Sequence, residues 1–284
     1  MSSFEGISVI IPVHNREATI GRAIASVLKQ SHPPDEVIVV DDGSTDRTPY
    51  RIADFGDRIH SVRIGNSGVS AARNTGIRAA RHRWLAFLDS DDEWHPEKLK
   101  TQLQYLERNA EYRIIHTDEI WIRHGTRVNP RKVHQKSGGM IFEISLPRCM
   151  ISPSSVMIKD ELFDLYGLFD ETLPACEDYD LWLRMTCREP VLYADTPLIT
   201  KYGGHEDQLS RQFPAMDRFR IRVLQELIET VPLDRNQIIA ATNQLLQKLA
   251  ILEQGAFKRG KMAAWHYYRS AGMHYRKLLR RLGG

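Results

Sequence analysis

Four short apolar runs, separated by helical spacings, fill roughly the first 90 residues and constrain the fold more than any other feature. Ile7-Ser8-Val9-Ile10-Ile11-Pro12-Val13 is β-branched with little polar alternation, the pattern of a strand buried on both faces. Glu36-Val37-Ile38-Val39-Val40 repeats it, and residues 59–64 and Trp84-Leu85-Ala86-Phe87-Leu88 supply a third and a fourth strand. Between them, Ile20, Ala23, Ile24, Val27 and Leu28 mark a helix within 16–30, ended by His32-Pro33-Pro34. Thr45 or Asp46 caps a second helix to about residue 55, and an Ala-rich helix over 69–81 follows the turn Gly65-Asn66-Ser67-Gly68. Strand–helix repeats of this kind predict an α/β fold with a parallel sheet and right-handed crossovers, a Rossmann-like half.

The pattern then changes. A helix is expected over 96–109, and residues 112–122 alternate less cleanly. Residues 123–139 are polar, basic and aperiodic, and read as a mobile loop. Shorter mixed elements, with a helix opening near Glu177, lead to a helical segment beyond about residue 208. The 284 residues, 42% hydrophobic and 26% charged, suit one large globular domain plus an appendage, and a formal charge of +3 is too mild to imply nucleic acid. Cys149, Cys176 and Cys187 lack metal-ligand spacing and fit a reducing compartment. With no signal-like start and no apolar run near the ~20 residues that span a bilayer, the expectation is a cytoplasmic protein, attached at most to a membrane surface.

Ligands of open α/β sheets bind beyond the carboxyl ends of the strands. Two acidic clusters are expected there, Asp41-Asp42 after the second strand and Asp89-Ser90-Asp91-Asp92 after the fourth. Aspartates at strand ends also form turns and cap helices, which is the plain alternative for either cluster alone. Two clusters on one edge repel each other, and a divalent cation relieves that repulsion. Carboxylates at i and i+2 with a third adjacent are hard oxygen ligands for Mg²⁺ or Mn²⁺, completed by phosphate and water; zinc lacks a Cys/His set here. Such a site suits a diphosphate.

The ordered motifs resemble the family 2 glycosyltransferases, which have the GT-A fold. The resemblance rests on the first strand through His14-Asn15, on Val39-Val40-Asp41-Asp42-Gly43-Ser44-Thr45-Asp46, and on Gly68-Val69-Ser70-Ala71-Ala72-Arg73-Asn74-Thr75-Gly76. Phe87-Leu88-Asp89-Ser90-Asp91-Asp92 and Glu177-Asp178-Tyr179-Asp180-Leu181-Trp182 complete it. It implies a mostly parallel central sheet with flanking helices over 1–210, with a nucleotide-binding half (1–110) and an acceptor half (111–210), and a helical extension over 211–284. It also implies that the nucleotide base lies against Pro12, Val13 and His14, with Asp42 bonding its ring and Asp41 beside it. Asp89, Asp91 and Asp92 would hold the ribose and, through the metal, the diphosphate, with the metal chiefly on Asp91 and Asp92, Asp89 supporting it from nearer the ribose, and Ser90 a further nucleotide-sugar contact. Arg73, at the start of a helix, would reach a phosphate; a solvated surface arginine is the alternative. Asp178 matches the general base of an inverting transfer, although acids there also favour the start of a helix. His205 matches a histidine that approaches diphosphate or metal in related enzymes. His14, His95 and His116 are given no chemical role of their own.

Gln208-Leu209-Ser210-Arg211-Gln212 partly resembles the Q-x-x-R-W motif of processive synthases, but Gln212 stands in place of the tryptophan, so one sugar per event is expected. The reading is a UDP-sugar-dependent transferase acting on a saccharide, lipid-linked or protein acceptor in polysaccharide or glycoconjugate synthesis. A nucleotidyl or phosphoryl transferase and a non-catalytic sugar-nucleotide-binding module are the alternatives. Apolar stripes at Ile221, Leu224, Leu227, Ile228 and at Ile238, Leu245, Leu246, Leu249, Ile251 predict a helical cap packed on the catalytic domain. Basic residues interleaved with Trp265, Tyr267, Tyr268 and Tyr275 offer a second reading, peripheral contact with an anionic membrane.

Overall fold

The computed structural model describes residues 5–129, 135–204, 213 and 215–283. Three strands expected from the apolar runs form where the sequence places them: β1 (Ile7–Val13), β2 (Glu36–Asp42) and β4 (Trp84–Phe87), each buried along its whole length. The third, β3 (His60–Ile64), lies on the sheet's outer side and is largely exposed. β1 pairs in parallel with both β2 and β4, and β2 in parallel with β3. Beyond β4 the sheet becomes mixed. β8 (Met157–Lys159) is antiparallel to β4 and to β6 (Ile114–Arg123), and β6 runs parallel to β9 (Leu192–Gly203). The short β5 (Glu93–Trp94) pairs antiparallel with β9, and β7 (Thr126–Val128) folds back on β6. The strand order is β3-β2-β1-β4-β8-β6-β9-β5.

Alternation along β1 explains the layers. Ile7, Val9 and Ile11 face α1 (Ile20–Leu28) and α4 (Lys98–Arg108) in one apolar cluster, through Ile24, Val27, Leu99 and Leu103. Ile10 points the other way, into a cluster with α6 (Glu161–Tyr166) and α7 (Glu177–Thr186). On that side α3 (Val69–Ala79) comes so close to β1 that a Cβ on Gly76 would lie 2.3 Å from Ile10 Cγ2, so only glycine fits there. α2 (Thr48–Ala53) begins later than expected; Asp46 still accepts the Thr48 N–H at 2.9 Å, from one residue outside the cap position.

Within 123–139, the described residues depart from the mobile-loop expectation. They contain β7, and the Lys136 ammonium is buried 3.0 Å from Glu119. A basic residue in an aperiodic stretch looks solvated until its distant carboxylate is known. Residues 130–134 lie outside the described residues, as does the expected boundary near 210. The C-terminal helices α8 (Asp217–Thr230), α9 (Arg235–Lys258) and α10 (Met262–Arg281) pack onto α7 and α5 (Phe142–Ser145). One cluster unites Phe142, Leu146, Tyr179 and Leu183 with Leu224, Leu245, Leu249 and Tyr275. Asp234 and Gln237 close a capping box at the start of α9.

Candidate active site

β2 and β4 flank β1 in the same direction, so their carboxyl ends bring Asp41-Asp42 and Asp89–Asp92 to one sheet edge. Asp42 is engaged with the backbone: its carboxylate accepts the N–H groups of Ser67 (2.7 Å) and Gly68 (2.8 Å), which fixes the turn that starts α3. Asp41 accepts the Ser44 N–H at 2.9 Å, while its other oxygen is buried without a hydrogen bond, 3.6 Å from Arg63 Nε. His14 Nδ1 donates to the Asp42 carbonyl at 2.7 Å, leaving Nε2 to accept from Asn15 at 3.1 Å. Pro12 and Val13 are buried and pair with Val40 and Asp41, so the segment 12–14 lies directly against the first acid pair.

The members of the second cluster differ in their surroundings. Asp92 is 2% exposed; its oxygens accept the Ser154 hydroxyl at 2.6 Å and the Tyr202 N–H at 3.3 Å. Ser154 also accepts the Asp89 N–H at 3.2 Å, and Ser90 is buried. Asp89 and Asp91 are half-buried. Burial pushes Asp92 well above the usual carboxylate range, Lys201 opposing and Asp91 and Asp89 adding to the rise. Burial and the Asp89 charge likewise raise Asp91. Burial works in the same sense on Asp89, yet the neighbouring Arg73 and Lys201 charges hold it below its usual range.

Arg73 is neither solvated nor turned outward. It is 3% exposed, and its guanidinium donates to Asp89 Oδ1 at 2.8 Å and to Glu177 Oε1 at 2.6 Å, over the Phe169 ring. The arginine therefore connects the second acidic cluster to the start of α7, where Asp178 follows Glu177. Cys176, with φ 69°, holds a left-handed conformation that is costly for a residue with a Cβ, and turns the chain into α7 there. Tyr179 OH donates to the Leu146 carbonyl at 2.6 Å and Trp182 Nε1 to the Ile151 carbonyl at 3.0 Å, fixing the helix on the 146–151 segment. Asp178 stays half-buried, one oxygen accepting from the Cys149 thiol at 3.3 Å and the other from the Tyr179 N–H at 2.7 Å. Burial, with the Asp178 charge in support, pushes the Cys149 thiol well up, so it sits there as the protonated donor.

Two contributors escaped the sequence reading. Lys201, in β9, faces Glu119 and all three aspartates of the second cluster; these acids raise its pKa against the opposing effect of burial, and its ammonium donates to Ser152 at 2.9 Å. Ser154 braces the second cluster, donating to Asp92 and accepting the Asp89 N–H. The only sequence signal for Lys201 is a charge inside the mostly apolar run Pro197-Leu198-Ile199-Thr200-Lys201. His205 and Gln208–Gln212 lie outside the described residues.

Among the described residues, no three His, Cys, Asp or Glu side chains converge to hold a metal unaided. Three carboxylates within four residues, two of them with raised pKa values, still suit a divalent ion that shares its sphere with phosphate and water.

A family model for glycosyl transferase family 2 matches residues 8–149. The chain belongs to glycosyl transferase family 2. It is 32% identical over 185 residues to the UDP-Glc:alpha-D-GlcNAc-diphosphoundecaprenol beta-1,3-glucosyltransferase WfgD of Escherichia coli, covering 62% of this chain and 68% of that one. It is 43% identical over 160 residues to the putative teichuronic acid biosynthesis glycosyltransferase TuaG of Bacillus subtilis, covering 55% and 62%. Among solved structures, Staphylococcus aureus TarS 1-349 in complex with UDP-GlcNAc superposes with a TM-score of 0.76 at 19% identity, over 95% of this chain and 81% of that one. The family 2 chain thus has the GT-A arrangement expected from its motifs, with C-terminal helices. It spans about a third of the length of some curated relatives (31%) and about two thirds of others (65%).

Proposed function

We propose that this family 2 chain transfers a sugar from a UDP-sugar to an acceptor hydroxyl, with inversion and one sugar per event, in the assembly of a cell-surface polysaccharide or glycoconjugate. The observation that carries this reading is the continuous connection Asp89–Arg73–Glu177, which ties the acidic cluster of the sheet edge to the residue beside Asp178. An acid cluster for the donor and a separate carboxylate for the acceptor are what a displacement at an anomeric carbon requires. The names of WfgD and TuaG, and the UDP-GlcNAc bound to TarS, support the donor class and a lipid-linked or polymer acceptor.

In this reading the base of the nucleotide lies along Pro12–His14 beside Asp41 and Asp42. Asp89 holds the ribose, with Ser90 a further contact to the nucleotide sugar; Asp91 and Asp92, with His205 as a further candidate ligand, would hold Mn²⁺ or Mg²⁺. The bound ion would neutralise charge on the departing diphosphate. Asp178 accepts the proton of the acceptor hydroxyl as that oxygen attacks the anomeric carbon from the side opposite the diphosphate. Arg73 keeps Glu177 charge-compensated, so that Asp178 is presented at a fixed place relative to Asp89. Lys201 limits the repulsion among the aspartates before the ion arrives.

Titration calorimetry tests the donor site: UDP binds in the presence of Mn²⁺ or Mg²⁺, and chelation abolishes the binding. Metal-independent or absent UDP binding contradicts the proposal. A screen of nucleotide sugars for slow hydrolysis identifies the donor and separates the reaction classes. Release of UDP and free sugar fits glycosyl transfer; release of UMP and a sugar phosphate would point to nucleotidyl or phosphoryl chemistry.

A further inference from the structure

Residues 254–284 contain eight Lys or Arg and no Asp or Glu, which leaves 31 basic against 36 acidic residues in the rest of the chain. The surplus of positive charge is therefore confined to the end of α9, the turn and α10. The packing shows which way it faces. Gly272 and Tyr275 are buried, and Tyr268, Ala271 and Leu278 pack against the C-terminal cluster. With 100° between successive residues of a helix, Met262, His266, Arg269, Met273, Arg276, Lys277 and Arg280 fall on the opposite side, and all are exposed. The turn before α10 continues this side with Phe257, 60% exposed, and with exposed Lys258, Arg259 and Lys261. The Phe257 and Trp265 rings lie 5.9 Å apart, and Arg269 stacks over Trp265 at 5.0 Å. None of the eight cations forms an ion pair among the described residues, whereas cations elsewhere, such as Arg220 and Lys248, pair with Asp217.

We propose that this outer face of α10, with the Phe257–Lys261 turn, docks the protein on the surface of an anionic lipid bilayer. Cations that lie beside exposed Met262, Met273 and Phe257 match a headgroup layer, where ammonium and guanidinium groups meet phosphates while apolar tips enter the acyl boundary. The inner face of the same helix is already used by the C-terminal cluster, so packing on the catalytic domain and docking outward are compatible. Among the described residues no helix is long and apolar enough to cross a membrane, so the contact lies flat on the surface. A second copy of the chain fits this face poorly, because a twofold contact would set these cations against each other. The inference stands on charge and packing alone and is independent of the transferase reading.

The test is co-sedimentation of the full chain with phosphatidylcholine vesicles containing about a third phosphatidylglycerol, against phosphatidylcholine alone, at low and high salt. Binding is expected only to the anionic vesicles, with loss at high salt. Arg269→Glu, Arg276→Glu and Lys277→Glu together should lower it at least a hundredfold, from about fivefold per cation removed and more for reversal. The triple variant keeps the wild-type melting temperature and UDP affinity, since none of these side chains lies in the candidate active site. Equal binding to neutral vesicles, no binding, or wild-type binding by the triple variant overturns the proposal. So does a dimer in light scattering that the triple variant dissolves while vesicle binding is absent, or RNA binding without vesicle binding. Should the triple variant fold poorly, the salt dependence of the wild-type protein decides alone.

Discussion

Arg73→Met tests the internal connection of the candidate active site. The guanidinium is 3% exposed and serves two carboxylates, Glu177 at 2.6 Å and Asp89 at 2.8 Å. Glu177 is itself nearly buried, its side chain 9% exposed, and burial and the adjacent Asp178 already raise its pKa. Methionine keeps the aliphatic stem on Phe169 but strands Glu177 without a cation. Breaking a buried pair by removing one partner costs about 3–5 kcal/mol. Asp89 is about a quarter exposed and retains Lys201 nearby, so water and lysine take up part of its loss. The expected loss is therefore at the lower end, about 3 kcal/mol, nearly all of it from Glu177. Urea unfolding followed by tryptophan fluorescence measures it. Adding Glu177→Met removes the stranded charge and should restore about 1–2 kcal/mol. A loss below about 1 kcal/mol in the single variant, or a double variant no more stable than the single, refutes the argument that a buried bridge ties the two acidic regions together.

Three further outcomes follow from the packing. Gly76→Ala places a methyl 2.3 Å from Ile10 Cγ2, so α3 must leave β1; a loss of about 2 kcal/mol or more in thermal unfolding is expected. Lys98 is fully buried over the Trp94 ring at 3.8 Å, and its ammonium has no hydrogen-bond partner. Burial lowers its pKa well below the usual lysine value, so the proton is bound more tightly in the unfolded chain and its binding favours unfolding. Lys98→Met should stabilise the protein by about 1–3 kcal/mol at neutral pH, a gain that shrinks as pH rises toward the unfolded value near 10. His116 is buried, and burial, with the Lys136 charge adding to it, pulls its pKa down to about 3. Between that value and about 6.5 the unfolded chain binds the extra proton, so stability falls as pH drops through this window. His116→Gln places an amide donor near the Nε2 position that bonds the Ser137 carbonyl at 2.9 Å, and should flatten the pH dependence of the urea midpoint there by up to about 1.4 kcal/mol per pH unit.

What the sequence makes legible is what local pattern encodes. β1, β2 and β4 are continuous apolar runs because both faces of each are covered, and the acids that end them fall on one edge because the strands are parallel. Asp178 is visible through its motif. The role of Arg73 is not, because its partner Glu177 lies 104 residues away and nothing in an Ala-rich helix marks that side chain as inward. Lys201 and Ser154 are hidden for the same reason: a lysine in a strand and a serine in a turn take their meaning from the aspartates they meet. Lys136 reads as solvated until β6 brings Glu119 beside it. The basic stretch at the C-terminus is plain as composition, but only the burial of Tyr275 and Gly272 shows which way it points.

The most direct measurement of the central claim is donor turnover by Asp178→Asn, read beside its metal-dependent affinity for UDP. Asparagine keeps the size of the side chain and one oxygen for the Tyr179 N–H, turns its amide N–H toward the Cys149 sulfur in place of the second oxygen, and gives up the charge that accepts a proton. The account predicts wild-type UDP affinity with sugar transfer lowered about a hundredfold or more, the usual weight of a general base. Transfer at the wild-type rate would remove Asp178 from the mechanism and contradict the account.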